Sequence, residues 1–80
     1  MADVSLRESE LLVANQVILP LTKLNEAAVT RHPGAKMLDT DLQEQSGRYI
    51  YTVTLVDTAG SERTIDLDAA TGNVVKDERS

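Results

Sequence analysis

The spacing of apolar residues changes once along the chain, and this change is the strongest constraint on what it can fold into. Before residue 36 the apolar residues recur at helical intervals, and from residue 36 onward they alternate with polar residues. A period near 3.6 is typical of an amphipathic helix, and a period of two is typical of a half-buried strand. The sequence therefore predicts an α+β domain in which helices come first and an antiparallel sheet follows.

Two helices are predicted in the first part of the chain. Ser5 is followed three residues later by Glu8, which is the spacing of a capping box ahead of a short N-terminal helix. The three residues before Pro20 are expected to be extended, because a residue that precedes proline avoids the helical region. Thr22 is then expected to cap the main helix. The sequence HPG at residues 32–34 ends that helix, since proline cannot continue it.

Four strands are predicted after these helices, and each of the first three ends at a turn. Their sequences are KMLDTDLQEQ (36–45), RYIYTVTLVD (48–57), RTIDLD (63–68) and NVVK (73–76). The intervening turns SG, TAGSE and AATG are short, so neighbours in sequence become neighbours in the sheet. We expect a four-stranded antiparallel meander in the order 1-2-3-4, with the main helix packed on one face.

The alternation also predicts which side chains are buried beneath the main helix and which face solvent. The buried set is Tyr49, Tyr51, Val53, Leu55, Ile65 and Leu67, and the partly apolar side of the first strand carries Leu38, Thr40 and Leu42. The opposite face is expected to carry Asp39, Asp41, Thr52, Thr54, Thr64 and Asp66, with Ile50 and Val56 as apolar spots. Phe and Trp are absent, so the two tyrosines are the largest candidates for the core.

The length of the chain predicts one domain. Residues 1–16 are expected to form an N-terminal helical segment that is free to fray, and residues 17–80 the α+β domain. A chain of 80 residues buries a limited fraction of its surface, so its stability margin is thin. A large internal active-site cavity is therefore not expected.

Composition excludes several function classes. The net charge of -5 argues against nucleic-acid binding, which needs clustered Lys or Arg. The absence of cysteine excludes disulfides and thiol catalysis. No apolar run is long enough to predict a membrane span. The opening sequence MADVSLRESE is acidic and polar, so it does not predict a signal peptide.

Several short sequences occur together in an order that resembles a known family. LPL precedes the main helix, HPG ends it, GRYIYTVTLVD forms the central strand, and IDLDAATGNVV closes the chain with a Thr-Gly turn between two strands. From residue 17 to residue 76 this arrangement resembles the PepSY family of peptidase propeptide-like domains, and most closely its small single-domain proteobacterial type. The matching positions Tyr49, Tyr51, Asp68, Gly72 and Val74 look like fold determinants.

The resemblance implies a non-catalytic binding or regulatory module. Its partner would be a protein or peptide, including a peptidase that the module restrains, and its location would be periplasmic or otherwise extracytoplasmic. The family has no known catalytic residues, so the resemblance implies no catalytic site and no cofactor.

The residues themselves offer few candidates for chemistry. His32 is the only imidazole, and a role at the C-terminal end of the main helix is favoured over catalysis, since catalysis needs partners placed with it. Asp39 with Asp41, and Asp66 with Asp68, lie two apart on strands, which suggests paired carboxylates for acid-base chemistry, a weak calcium site or a solvated face. The solvated face is favoured because charged strands protect open sheets from aggregation.

Two functions stay open on the sequence. The first is a binding module that uses the open sheet face, or adds a partner's strand to the edge of the first predicted strand. The second is an extracytoplasmic sensory accessory that binds a small ligand or cation through the acidic face. A homodimer through the same face is a further use of so small a sheet, although its like charges oppose close stacking.

Overall fold

A single antiparallel sheet carries both helices on one of its faces. The computed structural model describes residues 2–80. Its elements are β1 (Ala2–Asp3), α1 (Leu6–Ala14), α2 (Leu21–Arg31), β2 (Lys36–Gln45), β3 (Arg48–Val56), β4 (Glu62–Asp68) and β5 (Val74–Arg79). The sheet order is β1-β2-β3-β4-β5, with every neighbouring pair antiparallel. The α+β class is therefore confirmed, and so is the meander order of the four predicted strands.

The core lies between this sheet and the helices. Its buried apolar residues are Ile18, Leu24, Ala28, Leu42, Tyr51, Val53, Leu55, Ile65, Leu67 and Ala69. The predicted alternation in β3 and β4 is confirmed, with Tyr49 only half-buried at the margin of the core. The Tyr51 hydroxyl donates a hydrogen bond to Asn25 Oδ1 at 2.7 Å, so β3 is joined to α2 by a polar contact as well as by packing.

The first strand of the sheet was not predicted from the sequence. β1 has only two residues, Ala2 and Asp3, which pair with Glu44 and Gln43 of β2. The Val4 amide continues the pairing by donating to the Leu42 carbonyl at 2.9 Å. Two residues are too few to show any periodicity, which is why the sequence pattern gives no signal for a strand here.

Helix α1 begins as predicted. The Ser5 hydroxyl accepts a hydrogen bond from the Glu8 amide at 3.1 Å, and the Glu8 carboxylate reaches back to the Ser5 amide, which completes the capping box. Leu12 and Val13 of this helix pack against the core. The division of the chain at residue 16 stays a prediction, and the structure adds that α1 and β1 contact the rest of the fold.

Two expectations for the connection between the helices are wrong. Helix α2 begins at Leu21 with Pro20 as its N-cap, and no side chain caps it, so Thr22 lies inside the first turn. Val17 and Ile18 are bent rather than extended, because their amides both donate to the Leu12 carbonyl and wrap the chain around the end of α1. Proline restricts directly only the residue before it, Leu19, so it does not prevent this bend.

Two irregularities in the strands shift side chains from their expected places. In β2 the register slips between Met37 and Asp39, so Leu38 has no cross-strand partner and is 55% exposed rather than part of the apolar side. In β5 the register slips opposite Asp66 and Leu67, and Val75 is the extra residue. β5 also continues to Arg79, three residues beyond the predicted end of this strand.

The turn between β4 and β5 forms as predicted. Asp68 Oδ1 accepts a hydrogen bond from the Ala70 amide at 2.9 Å, and the Asp68 carbonyl accepts one from the Gly72 amide at 2.7 Å. Gly72 has a φ of 79°, which lies in the left-handed region that glycine adopts without strain. A Cβ at this position would lie 3.2 Å from Leu19 Cδ1, so the turn also packs closely against the segment before α2.

We expect Gly72→Ala to lower the free energy of unfolding by about 2 kcal/mol, because it combines left-handed backbone strain with the Leu19 contact. Gly60→Ala is the matched control, since Gly60 has a φ of 85° but open space around a Cβ. It should cost about 1 kcal/mol. Urea unfolding of both variants measures the difference, and equal losses would show that the Leu19 contact contributes nothing.

Candidate binding face

All eight residues predicted for the exposed side of the sheet lie on the face opposite the helices, called here the open face. Cross-strand partners share a face, and the register aligns Asp41, Thr52 and Asp66 in one row across three strands. A second row is formed by Asp39, Thr54 and Thr64. Ile50 and Val56 lie on either side of these rows along β3. Their placement follows the prediction, while their role in binding stays a prediction.

A shallow depression of about 350 Å³ lies at one end of the open face. Its lining consists of Asp41, Gln43, Gln45, Ile50, Thr52, Asp66 and Val75. Val75, Gln43 and Gln45 were not among the predicted site residues. Val75 reaches this position because it is the extra residue of the bulge in β5, and β-bulges re-aim side chains in this way. A strict two-residue alternation gives no signal for such a shift.

The polar groups of the open face are partly tied to one another. The Thr52 hydroxyl donates to Asp66 Oδ1 at 2.7 Å. The Gln43 amide nitrogen donates to Asp41 Oδ2 at 2.8 Å and to Asp3 Oδ1 at 2.9 Å, which joins β1 to the face. These contacts fix the carboxylates in place and leave further oxygen lone pairs directed at solvent or a partner.

The two aspartates at the end of β4 have different surroundings. Asp68 is held by the turn and by Arg48, whose guanidinium lies 3.2 Å from its Oδ2. The hydrogen bond from the Ala70 amide is the main reason that the pKa of Asp68 is lowered; burial opposes this shift, and the contact with Arg48 adds to it. Asp68 is thus committed to the turn, while Asp66 bonds Thr52 on the open face.

Neither aspartate pair is completed by further ligands. Among residues 2–80, no group of three or more His, Asp or Glu side chains is placed to hold a metal ion. Calcium binding takes six to eight oxygen ligands in a suitable arrangement. The solvated-face interpretation of these carboxylates is therefore the simpler one.

The edge of β2, the second surface considered for binding, is partly covered. β1 pairs with Gln43 and Glu44, and Val4 continues along that edge to Leu42. Residues 36–41 are the part of this edge to which no strand of the described chain is paired. A partner strand would therefore find a shorter edge than the sequence predicts.

His32 belongs to a charged cluster on the helix side of the sheet, called here the Asp77 cluster and formed by Arg31, His32, Arg63 and Asp77. The Asp77 side chain is only 6% exposed. Its Oδ2 lies 2.8 Å from His32 Nε2 and 3.1 Å from Arg31 Nε, and its Oδ1 lies 3.1 Å from Arg63 Nε. The cluster joins the C-terminal end of α2 to β4 and β5.

His32 lies at the C-cap of α2, where it was predicted, but its ring bonds Asp77. Burial of the Asp77 carboxylate raises its pKa, and the hydrogen bonds from His32, Arg31 and Arg63 outweigh this effect, so the pKa is lowered overall. Asp77 was missed because the predicted last strand stopped at Lys76. The arrangement holds secondary structure elements together, and all of its polar contacts are within the chain.

The fold and the open face define a small α+β domain with a polar sheet surface and a helix-covered core. The family model described as Peptidase propeptide and YPEB domain, or PepSY, matches residues 18–78. The chain belongs to this family, as its resemblance predicted. PepSY domains are generally non-catalytic propeptide or inhibitory modules and are typically extracytoplasmic.

The other comparisons add no relative. Neither the curated proteins nor the solved structures gave a match to the chain. Across the described part of the chain, neither helix has the length and apolar character needed to cross a membrane.

We expect Asp77→Ala to lower the free energy of unfolding by about 2 kcal/mol, because it leaves three donors without their shared acceptor. Glu78→Ala is the control, since its contact with Lys76 is an exposed pair of the kind that contributes little. Urea unfolding at neutral pH measures both. A loss for Asp77→Ala no larger than that for Glu78→Ala would contradict a stabilising role for the cluster.

The same cluster predicts a dependence of stability on pH. Because the pKa of Asp77 is lowered from 3.8, its ionisation stabilises the folded state above that value. The difference in unfolding free energy between wild type and Asp77→Asn should therefore shrink as the pH falls below about 5 and the Asp77 carboxylate becomes protonated. A difference that grows as the pH falls through this range would contradict this sign.

Calcium should leave the melting temperature of the protein unchanged up to millimolar concentration. A ligand that binds only the folded state raises the melting temperature by mass action, so the measurement is a direct test of the cation site. Magnesium at equal ionic strength is the control for screening of the acidic face. A rise specific to calcium that Asp39→Asn with Asp41→Asn abolishes would instead support the cation site.

Proposed function

We propose that this PepSY domain is a non-catalytic module that binds a protein or peptide partner through its open face and restrains a peptidase. We place it in the periplasm or another extracytoplasmic compartment, in keeping with the usual location of the family. Membership of the family supports a propeptide-like regulatory role. The assignment of that role to the open face is supported by the apolar side chains that lie on this uncovered face.

The observation that carries the proposal is the presence of apolar side chains on the uncovered side of the sheet. Ile50 and Val56 are half-buried on β3, and Val75, which lines the depression, is 59% exposed. Both helices pack on the other face, so the described chain supplies no cover for these residues. Exposed apolar side chains with a polar surround can mark a site of contact with another protein, since interfaces combine an apolar centre with a polar rim.

The open face is favoured over the strand edge as the binding surface. β1 and Val4 occupy the β2 edge from residue 42 to residue 44, which shortens the length available to an added strand. A homodimer that stacks two open faces would bring Asp39, Asp41 and Asp66 of each copy together. Like charges at such an interface cost free energy, so a different partner is favoured.

The proposal is tested by capture of a peptidase from an extract of periplasmic or secreted proteins. The immobilised wild-type domain should capture a peptidase from the extract. The captured peptidase should be less active while it is bound to the domain than after the domain is removed. Ile50→Asp with Val56→Asp should abolish capture, because it places two charges on the apolar part of the face. Assay of peptidase activity in the bound fraction, before and after the domain is removed, gives the result.

Leu11→Asp is the matched control, since Leu11 is an exposed leucine on α1 and lies on the helix side of the sheet. It should capture the same activity as wild type. Circular dichroism checks that each variant is folded. Equal capture by wild type and by the folded Ile50, Val56 variant would remove the open face from the proposal.

A further inference from the structure

We propose that the depression on the open face receives a lysine or arginine side chain from an extended segment of the partner. This inference rests on the proposed function and adds the chemistry of the partner to it. The depression combines apolar side chains with two carboxylates, Asp41 and Asp66, which lie on the two strands that flank β3. A long basic side chain has the matching order of groups, with an aliphatic stem that ends in a positive charge.

The floor of the depression is formed by Ile50 and Val75. Both are apolar residues of its lining, and Val75 reaches it because of the bulge in β5. Leu67 pairs with Val74 and Asp66 pairs with Lys76, so Val75 is an extra residue that a regular strand would not have at this point. The bulge thus adds apolar surface where a face of alternating polar residues would have none, and bulges occur often beside functional sites.

The two carboxylates of the depression lie in the same cross-strand row. Asp41 and Asp66 are both register partners of Thr52, one on each side of β3. Each accepts a hydrogen bond from a neutral group, Gln43 in one case and Thr52 in the other. Within residues 2–80, no lysine or arginine lies at ion-pair distance from either carboxylate.

The basic residues nearest to the depression are engaged elsewhere. Lys76 is the register partner of Asp66, yet its ammonium lies 3.0 Å from Glu78 Oε1. Arg48 lies on the same face and pairs with Asp68. The pKa of Lys76 is raised mainly by Glu78 and to a lesser extent by Asp66, so the field of Asp66 favours a cation at this position. Lys76 therefore lies within the field of Asp66, but it forms its ion pair with Glu78 and leaves the Asp66 carboxylate without a direct cationic contact.

The open face as a whole carries more acidic than basic residues. Its acidic residues are Asp3, Asp39, Asp41, Glu62, Asp66, Asp68 and Glu78, and its basic residues are Lys36, Arg48 and Lys76. Acidic groups therefore outnumber basic groups around the depression. Such a surface attracts a basic segment and repels an acidic one. This effect contributes more to the specificity for a partner than to the affinity.

Two short peptides test the inference. The probe is the capped pentapeptide Thr-Val-Lys-Val-Thr, and its matched control replaces lysine with norleucine, which keeps the aliphatic stem and removes the charge. Titration of the isotope-labelled protein, followed by the amide shifts of Ile50, Thr52, Asp66 and Val75, gives the affinity of each. We expect the lysine peptide to bind at least about fivefold more tightly, since two partly exposed ion pairs contribute modestly.

Two protein variants show whether the named carboxylates are responsible. Asp41→Asn with Asp66→Asn keeps the hydrogen-bond acceptors and removes both charges, so it should abolish the preference for lysine. Asp39→Asn with Glu62→Gln removes two charges from the same face outside the depression, and it should keep most of the preference. The amide spectrum of each variant also reports whether it is folded.

Equal affinity for the two peptides, or a preference that survives Asp41→Asn with Asp66→Asn, would overturn the inference. Failure of both peptides to bind at millimolar concentration would overturn it as well. In each of these cases the proposed function still stands if Ile50→Asp with Val56→Asp abolishes peptidase capture. Both proposals fail together only if capture, too, is unaffected by changes on the open face.

Discussion

Burial of one face of the sheet, and only one, is the constraint on which the rest of this structure depends. In β3 and β4 the side chains that face the helices are large and apolar, apart from Arg63 near the start of β4. A slip of one residue would exchange the faces completely, so the register is strongly fixed. The opposite face is thereby left uncovered, and its polar groups and few apolar side chains are free to meet another molecule.

Polar contacts complement this packing at the points where the helices meet the sheet. Tyr51 joins the middle of β3 to Asn25 of α2, and the Asp77 cluster joins the end of α2 to the last two strands. A small core without Phe or Trp has limited apolar area with which to fix the angle of a helix. Directional hydrogen bonds at both places supply this orientation.

The regular parts of the fold could be predicted from the sequence because their signals are local. Alternation in β3 and β4, the capping box at Ser5 and the turn at Gly72 each depend on residues close together in the chain. The parts that were missed depend on distant partners. Leu38 and Val75 are displaced by register slips that only the pairing of strands reveals. For the same reason, the depression was not predicted, although most residues of the open face were.

The pairing of β1 has a consequence for the order of folding. Every other pair of strands is a hairpin, whereas Ala2 and Glu44 are about 40 residues apart, so their pairing closes a far longer loop at a greater cost in chain entropy. During synthesis, the amino-terminal segment leaves the ribosome before the strand that it must join has been made. The pairing of β1 with β2 is therefore expected to form later than the three local hairpins.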